Sequence, residues 1–139
     1  MTVIAIREID HQVLRVSDLE AMLAFYTRAL GCTVEVRRED IGLYQLRAGR
    51  SMLDLVPLQG KLGKAGGAAP GREGRNLDHF CFRVEPFDEK AIRGHLESLG
   101  IAVGEVATRI GAEGAGPSIY ISDPEGNTVE LKGPPAASG

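Results

Sequence analysis

Four side chains of this 139-residue chain stand at matched positions with chemistry in common. Ile9-Asp-His-Gln-Val-Leu-Arg-Val16 matches Leu77-Asp-His-Phe-Cys-Phe-Arg-Val84 at an offset of 68, which pairs His11 with His79. Met52-Leu-Asp-Leu55 matches Thr128-Val-Glu-Leu131 at an offset of 76, which pairs Asp54 with Glu130. A lone strand histidine is ordinarily a satisfied core residue, and a mid-strand carboxylate ordinarily faces solvent on an edge strand. Two histidines at equivalent positions, with the acids equivalent as well, favour a shared purpose. Two imidazoles and one or two carboxylates suit a divalent first-row metal with positions left open for substrate.

The elements that must carry these residues follow from periodicity. Residues 9–16 alternate as a strand, and Ser17-Asp-Leu-Glu20 reads as a capping box opening a helix over about residues 18–30, with Gly31 as its stop. Strands are expected near 33–39, 43–48 and 51–57, the last two joined by a tight turn at Gly49-Arg50. The second half repeats the order: a strand from 77, a helix capped by Asp88, and three strands. The last two of these flank Asp123-Pro-Glu-Gly126, a type I turn by composition. Residues Gln59 to Arg75 are glycine-rich and aperiodic, a spacer or flap. Such self-similarity means two structural copies. The expectation is an α+β fold of two βαβββ modules (one over 7–58, two over 77–133, linker 59–76) in a single domain of residues 1–139. Their mixed sheets would curl into a shared cup lined by the acid-bearing faces.

Composition narrows the function. Net charge is −3 with no basic cluster, which argues against nucleic acid. No apolar run approaches the ~20 residues that cross a bilayer, and the N-terminus lacks a secretory pattern, so the expectation is a cytoplasmic protein with no membrane partner. Two cysteines, Cys32 and Cys81, make no disulfide framework. Cys81 shares the His79 face but has no acid–base partner to mark it as a nucleophile.

Asp10-His11, Phe25-Tyr26 with Leu30-Gly31, Asp78-His79-Phe80, Asp123-Pro-Glu-Gly-Asn127 and Val129-Glu130-Leu131 together resemble the vicinal oxygen chelate superfamily. That superfamily holds glyoxalase I, fosfomycin resistance transferases and extradiol dioxygenases. The likeness runs from Ile9 to Lys132, and the stretch Arg109 to Tyr120 is most similar to its glyoxalase-domain, virulence-protein branch. The resemblance implies His11, His79 and Glu130 as ligands of a divalent ion (nickel, zinc, cobalt, manganese or iron), and Glu130 or Asp54 as the catalytic acid–base. Asp54 stands where glyoxalase I carries a Glu; it is a ligand, a base or a polar lining residue. Arg15, Arg75, Tyr120 and Ser118 are the implied substrate contacts, and a homodimer is the implied assembly. The activity implied is a glyoxalase-I-like lyase or isomerase acting on a small thiol–aldehyde adduct. A non-haem iron dioxygenase and a small-ligand-binding protein are the alternatives.

Overall fold

The structure, a computed structural model, describes residues 3–136. The chain forms two compact units that divide between Ala69 and Pro70, inside the expected linker.

In the first unit, strand β1 (His11–Val16) leads into helix α1 (Leu19–Ala24), and strands β2 (Thr33–Arg38), β3 (Leu43–Ala48) and β4 (Ser51–Pro57) follow. They make a four-stranded sheet of order β1-β4-β3-β2, mixed because β1 and β4 run parallel while the other pairs are antiparallel. Leu14, Val16, Leu46, Leu53 and Leu55 bury one side of it with Met22, Phe25 and Tyr26. Gly49, at φ +61°, takes the first turn position between Ala48 and Ser51, a left-handed conformation that costs glycine nothing.

The helix departs from expectation at both ends. Its N-cap is Asp18, not Ser17: the Asp18 carboxylate accepts from the Ala21 amide at 3.1 Å. A carboxylate at that place also suits the positive end of the helix dipole. After Ala24 the chain widens into a π-helical turn, Phe25–Ala29, in which the Leu30 amide reaches the Phe25 carbonyl at 3.3 Å. Thr27 supplies a reason, since its hydroxyl donates to the Leu23 carbonyl at 2.6 Å and competes for the acceptor that a regular α-helix would use. The glycine-rich segment also carries structure, a 3-10 turn over Gly63–Gly66.

The second unit repeats the plan with β5 (Phe80–Arg83), α2 (Glu89–Ser98), β6 (Ala107–Gly111), β7 (Gly114–Ser122) and β8 (Thr128–Lys132), in the order β5-β8-β7-β6. Asp88 caps α2 as expected, accepting from the Ala91 amide. The Asp123 turn closes with Gly126 N–H donating to the Asp123 carbonyl, while the Asp123 carboxylate accepts from the Glu125 and Asn127 amides. Strand β5 is shorter than the repeat suggests, so His79 lies one residue ahead of it, whereas His11 is the first residue of β1. In each sheet the last strand of the module inserts between the first strand and the rest. Asp54 and Glu130 therefore sit on interior strands, only 3% and 6% exposed, and the edge-strand reading of the acid is excluded.

Candidate functional site

Alternation along β4 and parallel register with β1 place His11, Val13 and Arg15 on the same sheet face as Met52, Asp54 and Val56. The His11 ring is bonded through Nδ1 to Asp10 Oδ1 at 2.8 Å. That bond, followed by the negative charge of Asp54, raises the imidazole pKa above its ordinary value. Asp54 receives one hydrogen bond, from Gln45 Nε2 to Oδ2 at 3.1 Å across the β3–β4 pair. Its other oxygen, Oδ1, is buried with no hydrogen-bond partner among the described residues. A buried carboxylate oxygen left without a donor costs free energy on the order of 1–3 kcal/mol or more, and a cation there would remove the cost.

The second unit has the same arrangement in tighter form. His79 Nδ1 is bonded to Asp78 Oδ2 at 2.6 Å, and Nε2 lies 3.2 Å from Glu130 Oε1. A carboxylate on one ring nitrogen fixes the tautomer and orientation and leaves the other for chemistry, the pattern that supports metal-ligating histidines. Tyr120 is the cross-strand neighbour of Glu130 and packs edge-on against the His79 ring, centroids 5.4 Å apart. The Arg109 guanidinium lies 4.3 Å above the Tyr120 ring and donates to the Ser118 carbonyl at 2.7 Å and hydroxyl at 2.8 Å. Cys81 pairs with Glu130 on the other side. Partial burial, then the Glu130 charge, push its thiol up to about 11, which disfavours a nucleophilic thiolate.

Each unit thus brings together one imidazole and one buried carboxylate, with Tyr120 joining the second pair. Among the described residues no three His, Cys, Asp or Glu side chains form a ready metal group. The residue types, the orphaned Asp54 oxygen and the oriented imidazoles nonetheless fit a divalent cation. Two expected substrate contacts are engaged elsewhere. Arg15 donates to the carbonyls of Gly63 at 2.9 Å, Ala68 at 3.2 Å and Gly67 at 2.5 Å, clasping the 3-10 segment to β1. Arg75 donates to the Asn127 side chain and the Glu125 carbonyl, both at 3.2 Å, and braces the Asp123 turn. Sequence reasoning missed Gln45, and it missed the orienting role of Asp10 and Asp78. The repeated Asp-His dipeptide was the available signal for the latter two.

Paired βαβββ units, each carrying a histidine and a buried acid on neighbouring strands or just ahead of them, define the fold class. The comparisons with known proteins agree: the family model described as Glyoxalase/Bleomycin resistance protein/Dioxygenase superfamily matches residues 8–131. The chain belongs to this superfamily, the vicinal oxygen chelate group, and lies with its glyoxalase-domain, virulence-protein-like branch. Virulence protein STM3117 of Salmonella typhimurium is 29% identical over 132 residues, covering 91% of this chain and 83% of that protein. Its crystal structure superposes with a TM-score of 0.74 at 26% identity, over 94% of this chain and 99% of that one. Glyoxalase domain-containing protein RDO1 of Mycosarcoma maydis is 32% identical over 129 residues, covering 92% of this chain and 69% of that protein. A lactoylglutathione lyase structure from Agrobacterium tumefaciens matches at 27% identity and a TM-score of 0.64, covering 91% of this chain and 92% of that one.

Proposed function

We propose that the protein is a metal-dependent lyase or isomerase of the glyoxalase I type, acting on a small thiol–aldehyde adduct, and that it works as a homodimer in the cytoplasm. The observation that carries the reading is the His79–Glu130 pair, 3.2 Å apart, with Glu130 buried on an interior strand and His79 oriented by Asp78. His11, His79 and Glu130 would hold the ion, with Asp54 as a further oxygen donor or base. When bound, a divalent ion supplies Lewis acidity toward two vicinal substrate oxygens.

This chain's own residues supply the rest. Proton transfer between neighbouring carbons needs a carboxylate within hydrogen-bond reach of both, held where water does not compete. Glu130 meets the burial requirement and stands beside His79, with Tyr120 as its cross-strand neighbour. Asp54, with one oxygen held by Gln45 and one uncommitted, is the second proton carrier. Tyr120 and Ser118 are the substrate-facing groups of β7. Arg15 and Arg75 are the proposed substrate contacts, and in the free protein they also hold the 3-10 segment and the Asp123 turn.

The test is metal analysis of protein purified without added ions, beside His79→Ala and Glu130→Ala. Stoichiometric nickel, cobalt, zinc or manganese that disappears in both variants, with isomerase turnover of a methylglyoxal–glutathione adduct, supports the reading. Iron with catechol cleavage would replace it by dioxygenase chemistry, for which two histidines and one carboxylate are also the usual ligand set. Wild-type metal content in both variants would refute the site.

A further inference from the structure

Gln45 and Tyr120 hold the same place in the two units. Gln45 on β3 is the cross-strand neighbour of Asp54, and Tyr120 on β7 is the cross-strand neighbour of Glu130. The acids beside them are held differently. In the second unit the acid meets its histidine, His79 Nε2 to Glu130 Oε1 at 3.2 Å, and Tyr120 packs on that histidine. In the first unit His11 makes its ion pair with Asp10, and none with Asp54 among the described residues. An aspartate is one methylene shorter than a glutamate, and here it is Gln45 that takes hold of it, Nε2 donating to Oδ2 at 3.1 Å.

That hydrogen bond decides what Asp54 can offer. The terminal torsion of an aspartate is broad and roughly two-fold, so strand geometry alone does not set where its oxygens point. An ionised carboxylate only accepts, so the amide turns its nitrogen to Asp54. With Oδ2 engaged, Oδ1 is the single oxygen left without a partner, on a side chain only 3% exposed. Gln45 is in turn set by an irregularity on its other side. On β2, Val34 faces Leu46 and Val36 faces Gln45, so Glu35 is an extra residue next to Gln45. The corresponding β6–β7 register runs unbroken. Arg47 fastens Glu35 to β3 through Nε at 2.9 Å and Nη2 at 3.1 Å. Bulges of this kind bend a strand and re-aim a side chain beside a site.

We propose that Gln45 is the positioning residue of the first unit's pair: it commits one Asp54 oxygen and so presents Oδ1 alone as a donor to a divalent ion. The inference rests on the metal-dependent reading above and adds a residue to it that touches neither the ion nor the substrate. The acid is held by its histidine in one unit and by an amide in the other.

The experiment titrates nickel(II) and, separately, zinc(II) into chelator-treated protein by calorimetry. Removing a partner that orients a ligating group typically weakens metal binding about ten- to a hundredfold. Gln45→Met, which keeps the length and removes the donor, should bind at least about tenfold more weakly than wild type. In an Asp54→Ala background, where both oxygens are gone, Gln45→Met should change the affinity no further. A role confined to packing would weaken binding equally in both backgrounds. Should Gln45→Met not fold, Gln45→Asn decides the matter: it should weaken binding, and adding Asp54→Glu, which returns the methylene to the acid, should recover much of the loss. Wild-type affinity in Gln45→Met, equal losses in both backgrounds, or no recovery in the Gln45→Asn, Asp54→Glu pair would overturn the assignment. Metal that depends on His79 but not on Gln45 would overturn it alone. Absence of saturable metal binding in wild type would remove the metal centre and this inference together.

Discussion

Replacing Arg15 by Ala should release the 59–69 segment without unfolding the first unit. The guanidinium makes three hydrogen bonds to backbone carbonyls of that segment, one part-buried and two at exposed atoms. A hydrogen bond from a charged donor contributes up to about 3 kcal/mol when buried, and solvent screening brings the exposed ones to about 0.5–1 kcal/mol each. About 2 kcal/mol for the three is a fair sum, and at 1.4 kcal/mol per decade it raises the open population roughly thirtyfold. Limited proteolysis reads this directly, because Lys61 and Lys64 lie inside the clasped segment and cleavage after local opening follows the open population. Trypsin cleavage at those two lysines, followed by mass spectrometry, should therefore accelerate by that factor while global unfolding shifts little. Arg15→Lys should restore at most one of the three bonds, since an ammonium cannot reproduce the fork. Gly66→Ala should act as a weaker version, because its Cβ would stand 2.4 Å from the guanidinium carbon and push the group aside. Unchanged cleavage in Arg15→Ala would refute the clasp and return Arg15 to the substrate as a direct contact.

Asp54→Asn should raise the unfolding temperature of the metal-free protein by a few degrees, the equivalent of about 1–3 kcal/mol, because it removes a buried charge with an unpartnered oxygen; with metal present the order should reverse. Calorimetry with and without chelator checks both signs. His11, raised by Asp10 and then Asp54, should titrate above its ordinary value by NMR, and Asp10→Asn should bring it down. The stabilisation from its protonated form is fully present below the unfolded pKa near 6.5 and is lost as pH rises through the higher folded value. Light scattering should give twice the mass of one chain, and a monomer at micromolar concentration would refute the proposed assembly.

The architecture was legible because it is periodic. The repeated Asp-His dipeptides and the repeated acids fix two βαβββ copies, and the copies fix which strands must carry the site. What depends on single contacts was not. Thr27 diverts the Leu23 carbonyl and turns the end of a helix into a π-turn, an effect that apolar spacing does not encode. The carbonyls that occupy Arg15 come from a glycine-rich segment far along the chain, so its charge reads in sequence as free for substrate. Lys132 ends strand β8, where lysine normally marks solvent, and the glycines of β6 and β7 that its side chain lies against are visible only in the fold.

The insertion of β4 and β8 into the middle of their sheets has a consequence for biosynthesis. As each module emerges from the ribosome its histidine comes first and waits, on an open strand or just ahead of one, until the last strand is made. That last strand brings the acid, and by pairing with the first strand it also closes the sheet. Half of the chemistry is therefore installed in the same event that completes the fold. A nascent or truncated chain ending before Thr128 has His79 but neither Glu130 nor a partner for β5. Such a chain carries the His11–Asp54 pair of the first unit without the His79–Glu130 pair of the second, and its unpaired strand edge leaves it open to aggregation until β8 is made.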